Sequence, residues 1–528
     1  MNRGFILDSS GGRGKCQRDD IWPGQEVINE MNKRLLHVSL RAVRIFAICA
    51  AALTLSCSSG RSPAVEKTKV LADWEGLRFG MFIHFGMSTF TGHEFGEVPA
   101  VSTDYAPSHL DVDQWIRVAK EGGMTYAVLT AKHCYGHSLW DSRVSDYDVA
   151  TSSDKTDVIR EFVEACRKYG LKPGFYYLLG WDKVNQPSLS PEEYEAFCSG
   201  QVEELLTDYG PIAELWLDIP WDMGPDTDKV LARIYNRIKS IQPDCLVLLN
   251  QGFVDGSAVS ERTPTYAHKE FGRPPVLLWP KDLNNGEATP PPESGHNPLI
   301  PVKGKTYYLP METCDTLAHH WFWVSGDALK SVRTLCRLYR STVLRGANLL
   351  LDLAPDRTGR IPEATAGRLM EMKAALANPA LIRPSLTFGA KAAASNVFKN
   401  DPECAPSLAI DDDSGTRWAT DDSVGECWLE VDLGRTCEFD GAYLSEDENR
   451  VEEYALETRQ ADGQWRAFYR GTTIGSTGLT LAFPKTSGQV VRLHVLKAAA
   501  GPALWDFELF EAQQSPAAPA SPGIVTEH

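Results

Sequence analysis

The chain has 528 residues, several times the roughly 150 of an ordinary domain, so two or more domains are expected. Hydrophobic residues make up 43% and charged residues 23%, a balance that excludes wholesale disorder. Lys and Arg number 53 against 70 Asp and Glu, giving −17, and without concentrated positive charge a nucleic-acid partner is excluded.

One segment of the sequence is apolar enough to enter a membrane, Ile45–Leu55, and it is far short of the ~20 apolar residues a spanning helix needs. It follows the basic residues Lys33, Arg34, Arg41 and Arg44 and runs into Ser56-Cys57-Ser58, the tripartite pattern of a secretory signal. A Cys directly after the apolar stretch resembles a bacterial lipobox. That resemblance implies export to the periplasm or cell surface, with Cys57 as the lipid anchor and the only membrane contact. Met31 is the natural start of such a signal, and residues 1–64 are read as leader, signal and linker.

From Phe79 onward short apolar runs alternate with amphipathic ones. Strands are predicted at Phe79–Gly86, Tyr126–His133, Pro173–Leu179, Glu214–Pro220, Leu246–Gly252, Val276–Trp279, Tyr307–Thr313 and Asn348–Ala354. Helical spacing falls between them at Val112–Glu121, Lys155–Tyr169, Pro191–Tyr209, Thr227–Ile241, Ala328–Leu344 and Glu363–Ala377. Eight strands mostly separated by helices predict an α/β fold, a (β/α)₈-like TIM barrel over residues 65–380. The Pro- and Gly-rich stretch Phe253–Thr306 breaks this rhythm and is expected at the active-site face.

After Pro379 the texture changes. Alternating runs at Trp428–Leu433, Tyr454–Arg459, Trp465–Tyr469, Leu479–Phe483 and Val490–Val495 predict an all-β sandwich over residues 385–512. Residues 513–528, rich in Pro and Ala, read as a disordered tail. Nine of the twelve cysteines lie beyond the leader, scattered and odd in number, which predicts mostly buried free thiols and no metal site.

Reactive groups of a barrel sit at the C-terminal ends of its strands, here His84, His133, Tyr177, Asp218, Asn250, Glu312 and Asp352. No Gly-rich phosphate loop, G-x-S-x-G elbow or H-E-x-x-H is present. Carboxylates among Trp residues fit glycoside hydrolysis, which needs no cofactor. Asp218 stands out, because in Leu215-Trp216-Leu217-Asp218-Ile219-Pro220-Trp221 an ionised group is costly without partners. Glu312 and Asp352 read as structural.

Here the motifs resemble a family. Arg78-Phe79-Gly80-Met81-Phe82-Ile83-His84-Phe85-Gly86, Tyr126–His133, Gly170–Tyr177, Glu214–Asp218 and Gly346–Pro355 are similar, in order, to α-L-fucosidases of glycoside hydrolase family 29. The resemblance implies a retaining exo-glycosidase that releases terminal fucose from glycans by double displacement. Asp218 matches the nucleophile, while His84, His133 and Glu94 match residues that bind the sugar, with Trp216 lining the pocket. Of the neighbouring Tyr176 and Tyr177, Tyr177 is taken as the inward one. The acid/base is a loop Glu, for which Glu287, ahead of three prolines, is preferred over Glu261, Glu270 and Glu293.

The chain departs from the family pattern at His133-Cys134-Tyr135-Gly136-His137, where a second sugar-binding His is usual, and at Ile219, where Gly is usual. These changes leave open a retaining exo-glycosidase for another sugar, such as galactose, or an inactive glycan-binding lipoprotein. Leu408–Trp418 and Trp428–Gly434 resemble a discoidin, or coagulation-factor type C, domain and family 32 carbohydrate-binding modules. That likeness implies a sugar-binding or buttressing sandwich with a structural calcium ion. Oligomeric state is not legible.

Overall fold

The computed structural model describes residues 67–250 and 278–512, apart from Trp221, Pro225, Lys303, Ser414, Ser476 and Thr477. Cys57, Glu261, Glu270 and the 513–528 tail lie outside the described residues.

Eight parallel strands form the N-terminal sheet: β1 (Phe79–Ile83), β2 (Tyr126–Lys132), β3 (Lys172–Leu178), β4 (Glu214–Asp218), β5 (Leu246–Leu249), β6 (Asn284–Glu287), β9 (Met311–Thr316) and β10 (Asn348–Asp352). Their order is β5-β4-β3-β2-β1-β10-β9-β6, and a bridge from Leu248 to Leu283 brings the two edges together into a barrel. Strands covered on both faces read as continuous apolar runs, and every residue of β1, β2, β5 and β10 is buried.

The flanking helices begin where short polar side chains occupy their free N–H groups. Asp111 caps Val112–Gly122, Asp157 caps Val158–Tyr169, and Ser190 with Glu193 forms a reciprocal box at Pro191–Thr207. Each cap contributes about 1 kcal/mol. Gly123 and Gly170 end the first two in the left-handed conformation that a side chain would resist.

Two predicted strands are corrected. The sixth is the polar Asn284–Glu287 rather than the apolar Val276–Trp279, of which Leu278 and Trp279 are not in a strand. The barrel supplies it with partners: the Asn284 backbone N–H donates to the Pro310 carbonyl and Asn285 Nδ2 to Asn250 Oδ1. The predicted Tyr307–Thr313 joins two separate elements. Lys305–Tyr308 (β8) pairs antiparallel with Leu299–Val302 (β7) outside the barrel, and β9 begins only at Met311.

The C-terminal unit is all-β and antiparallel, built from β11 (Lys391–Ala394), β12 (Trp418–Ala419), β13 (Cys427–Glu446), β14 (Val451–Arg459), β15 (Trp465–Gly471), β16 (Leu479–Ala498) and β17 (Ala503–Glu511). The order is β12-β17-β13-β16-β14-β15, with β11 on β13. Register shifts at Asp432/Cys437 and Phe439/Gly441 break the β13–β16 ladder, where bulges bend strands. The strands enclose their own core around Trp418, Phe439, Tyr454, Leu493 and Phe507. Arg337 on helix Val332–Val343 pairs with Asp412 at 2.7 Å and ties this unit to the barrel. All nine cysteines of the described residues are free, and Cys404 alone among them is not fully buried.

Candidate active site

Asp218 ends β4 among three donors. Tyr176 Oη donates to Oδ2 at 2.6 Å, while Asn250 Nδ2 and the Ile219 N–H each reach Oδ1 at 2.8 Å. Burial pushes the carboxyl pKa up, and these three donors oppose the rise. The carboxylate is therefore desolvated but braced. The Ile219 N–H arrives from a backbone at φ +48°, a left-handed conformation that a β-branched residue rarely adopts. Such strain gathers at functional sites.

Glu287 ends β6, and its Oε2 accepts from the same Asn250 Nδ2 at 3.0 Å. One amide nitrogen thus joins two carboxylates, whose bonded oxygens can be no more than about 6 Å apart. Glu293 is exposed on the loop beyond β6.

His84 follows β1 and is buried. Its Nδ1 lies 2.8 Å from Asp352 Oδ1, which also accepts the His84 backbone N–H at 3.1 Å. Burial lowers its pKa to about 3, against the pull of Asp218, so the ring is neutral with Nδ1–H donating to Asp352. Nε2 is left as an acceptor. His133 stacks on Tyr176 at 5.4 Å and meets the His84 ring edge-on at 6.0 Å. Burial holds His133 neutral too, and its Nδ1 has no partner. Trp321 lies 5.0 Å from His84, and Phe322 lies 5.2 Å from His84 and 4.9 Å from His133, so these two rings wall the pocket. Glu94 is half-buried near them, its carboxyl pushed up to about 7 by burial, against the pull of His320.

The assignment of Tyr177 is corrected. Its hydroxyl donates to Gln201 Oε1 on helix Pro191–Thr207 at 2.8 Å, and the Lys132 ammonium lies 4.5 Å from its ring, so it packs in the helix layer. Tyr176 is the inward residue, as its bond to Asp218 requires. Alternation along a strand guarantees that one of two neighbours faces in, without saying which. Trp216 is 2% exposed, stacks under Tyr176 at 5.7 Å and donates to Glu312 Oε1 at 2.9 Å, so it forms the floor of the site. Glu312 also accepts from Tyr126 Oη at 2.6 Å and is structural, as read. Asp352 holds His84 at two points, accepting its backbone N–H and lying 2.8 Å from its Nδ1.

Trp321 and Phe322 carry no mark in the sequence, whereas Asn250 is among the strand-end residues named above and Tyr176 is the neighbour set aside for Tyr177. Asn250 closes a strand and was legible as a strand end, but nothing in its neighbours announces a bridge between carboxylates.

In the C-terminal unit Asp411 accepts from the Asp413 N–H and Thr416 Oγ1, Asp413 from the Gly415 N–H, and Asp412 pairs with Arg337. These acids are committed to one another's turn and to the barrel. Among the described residues no group of three His, Cys, Asp or Glu side chains could hold a metal.

Comparison with known proteins bears on both units. Residues 92–378 match the family model "Alpha-L-fucosidase", and residues 391–507 match "F5/8 type C domain". The chain is 27% identical over 445 residues to alpha-L-fucosidase 1 of Arabidopsis thaliana, spanning 81% of this chain and 84% of that protein. Among solved structures, a glycoside hydrolase 29 family member from an unknown rumen bacterium is 24% identical with a TM-score of 0.47, covering 85% of this chain and 78% of that one. An alpha-L-fucosidase from Lactobacillus casei, solved with its α-L-fucose product, is 22% identical with a TM-score of 0.46, covering 60% and 100%.

Proposed function

Because the chain belongs to the α-L-fucosidase family, and so to the glycoside hydrolases, we propose that it releases terminal α-L-fucose from glycans with retention of configuration. The observation that carries this reading is the single amide of Asn250 holding Asp218 and Glu287 together. A separation near ~5–5.5 Å leaves no room for a water between sugar and nucleophile, whereas inverting pairs stand ~6.5–9.5 Å apart.

In the first step Asp218 attacks the anomeric carbon while Glu287 gives its proton to the leaving oxygen, so one C–O bond forms as the other breaks. In the second, Glu287 takes a proton from water, whose oxygen displaces Asp218 and restores both groups. Three donors hold Asp218 in line, so little reorganisation is needed at the moment of attack. The neutral His84 accepts a sugar hydroxyl through Nε2, and His133 and Glu94 contact others. An inactive glycan-binding protein has no use for two carboxylates poised on one donor, and this disfavours that alternative.

The same proposal places the enzyme outside the cytoplasm, lipid-anchored through Cys57 after its signal sequence is removed. The support is the basic–apolar–Cys pattern of residues 33–57. No helix of the described residues is long and apolar enough to cross a membrane.

A panel of aryl glycosides tests the reaction. Turnover of the α-L-fucoside, with the α anomer formed first by NMR, is the expected result. Preference for a galactoside, or β-fucose as first product, defeats the corresponding part of the reading.

A further inference from the structure

The segment between Thr316 and Val332 contains no helix or strand, yet it carries Trp321 and Phe322 against both site histidines. A wall without regular backbone bonding needs outside support. The barrel supplies part of it, as the Leu317 N–H donates to the Asp352 carbonyl at 3.0 Å. Within the segment, the Asp327 carboxylate accepts the N–H groups of His319 and His320 at 3.3 and 3.0 Å.

The rest comes from the C-terminal unit. Trp505 of β17 stacks on His319 with ring centres 3.8 Å apart and planes 17° from parallel. The Arg417 guanidinium lies 4.7 Å from the same indole and is paired with Asp447 at 3.3 Å, so the tryptophan is itself held. Further along, Tyr443 Oη donates to the Leu329 carbonyl at 2.9 Å. A Cβ added at Gly326 would lie 3.2 Å from the Asn449 side chain, so the two units approach closely there as well. His319 is kept neutral by burial and by the neighbouring charges of Lys330, His320 and Arg417, so the stack carries no buried cation.

We propose that Trp505 is a positioning residue of the sugar pocket: through His319 it holds the Trp321–Phe322 wall against His84 and His133. The C-terminal unit is then a working part of the site rather than only a sugar-binding appendage. The inference rests on the fucosidase reading above, because it assumes that the walled pocket receives the sugar.

The test uses the full chain and a small aryl α-L-fucoside, which cannot reach any distant sugar-binding surface while it occupies the pocket. Trp505→Ala and His319→Ala are each expected to raise KM, and the inhibition constant of free fucose with it, by about ten- to a hundred-fold, with the smaller change in kcat. Trp505→Phe, which keeps an aromatic face on His319, should recover most of that loss. Melting temperatures within about 3 °C of wild type separate pocket loosening from unfolding. Should Trp505→Ala fail to fold, His319→Ala, which leaves the C-terminal unit intact, decides the matter. Active wild-type enzyme with both alanine variants within two-fold of it in KM and fucose inhibition overturns the positioning role alone. Wild-type protein that neither turns over the fucoside nor binds fucose overturns the functional reading, and the positioning role with it.

Discussion

Asp218 and Glu287, 69 positions apart in the chain, accept hydrogen bonds from one and the same nitrogen, Asn250 Nδ2. The parallel strands β4, β5 and β6 end at one rim, and the amide at the end of the middle one reaches both carboxylates.

Removing either carboxylate should leave a different chemical signature. Asp218→Ala is expected to lose at least about a thousand-fold in kcat, and azide should rescue it with an inverted glycosyl azide. Glu287→Ala should keep more activity on aryl fucosides with good leaving groups than on poor ones, and azide should yield a product of retained configuration. If azide gives the retained product with Asp218→Ala, the two roles are exchanged.

Asn250→Ala removes a donor that favours the ionised form of Asp218. The carboxyl pKa then rises further, so the acid limb of the kcat/KM profile should move to higher pH. The accompanying loss in kcat/KM should be about a hundred-fold. An unmoved acid limb would show that this bond does not tune the nucleophile.

Burial raises the Glu94 carboxyl from 4.5 in the unfolded chain to about 7. The folded protein holds that proton more tightly, so the contribution to stability is complete below about 4.5 and is lost as pH rises through about 7. Glu94→Gln lacks this dependence. Its melting temperature relative to wild type should therefore climb between pH 5 and pH 8, while its KM for fucosides rises. A flat difference across that range would argue against a buried, protonatable Glu94.

Ile219 is 7% exposed and left-handed, so truncation has two opposed effects. Losing the side chain costs about 2–5 kcal/mol of packing, while glycine sheds the ~1–2 kcal/mol that any Cβ incurs in this conformation. Ile219→Gly should accordingly be no less stable than Ile219→Ala in urea unfolding, although it removes one more carbon. Alanine clearly above glycine would mean that the backbone relaxes.

Expressed from Met31, the wild-type protein should partition into detergent, and Cys57→Ala should move it to the soluble fraction. Wild-type protein found wholly in a soluble periplasmic extract would remove the anchor from the proposal.

Much of the scaffold is written locally. Thr227–Ile241 and Glu363–Ala377 end where their periodicity ends, and β1, β2 and β10 lie within apolar runs, because burial on both faces admits little else. The change to all-β texture after residue 380 marks the second unit for the same reason. Asp218 is visible as a charge among Leu and Trp, a combination that folding tolerates only with partners. Its side-chain partners are not local. Tyr176 and Asn250 come from two other strands, as Asp352 does for His84, and these roles exist only once register sets which side chains meet at the rim. The polar sixth strand is not legible locally because it donates to distant acceptors, Asn250 Oδ1 and the Pro310 carbonyl. The choice between Tyr176 and Tyr177 is a parity of one residue, decided by which of the two meets Asp218 across β3 and β4. Trp505 supporting the pocket from a second unit is the extreme case, since a contact across 186 positions leaves no trace in either segment and is decided wholly by how the two cores pack.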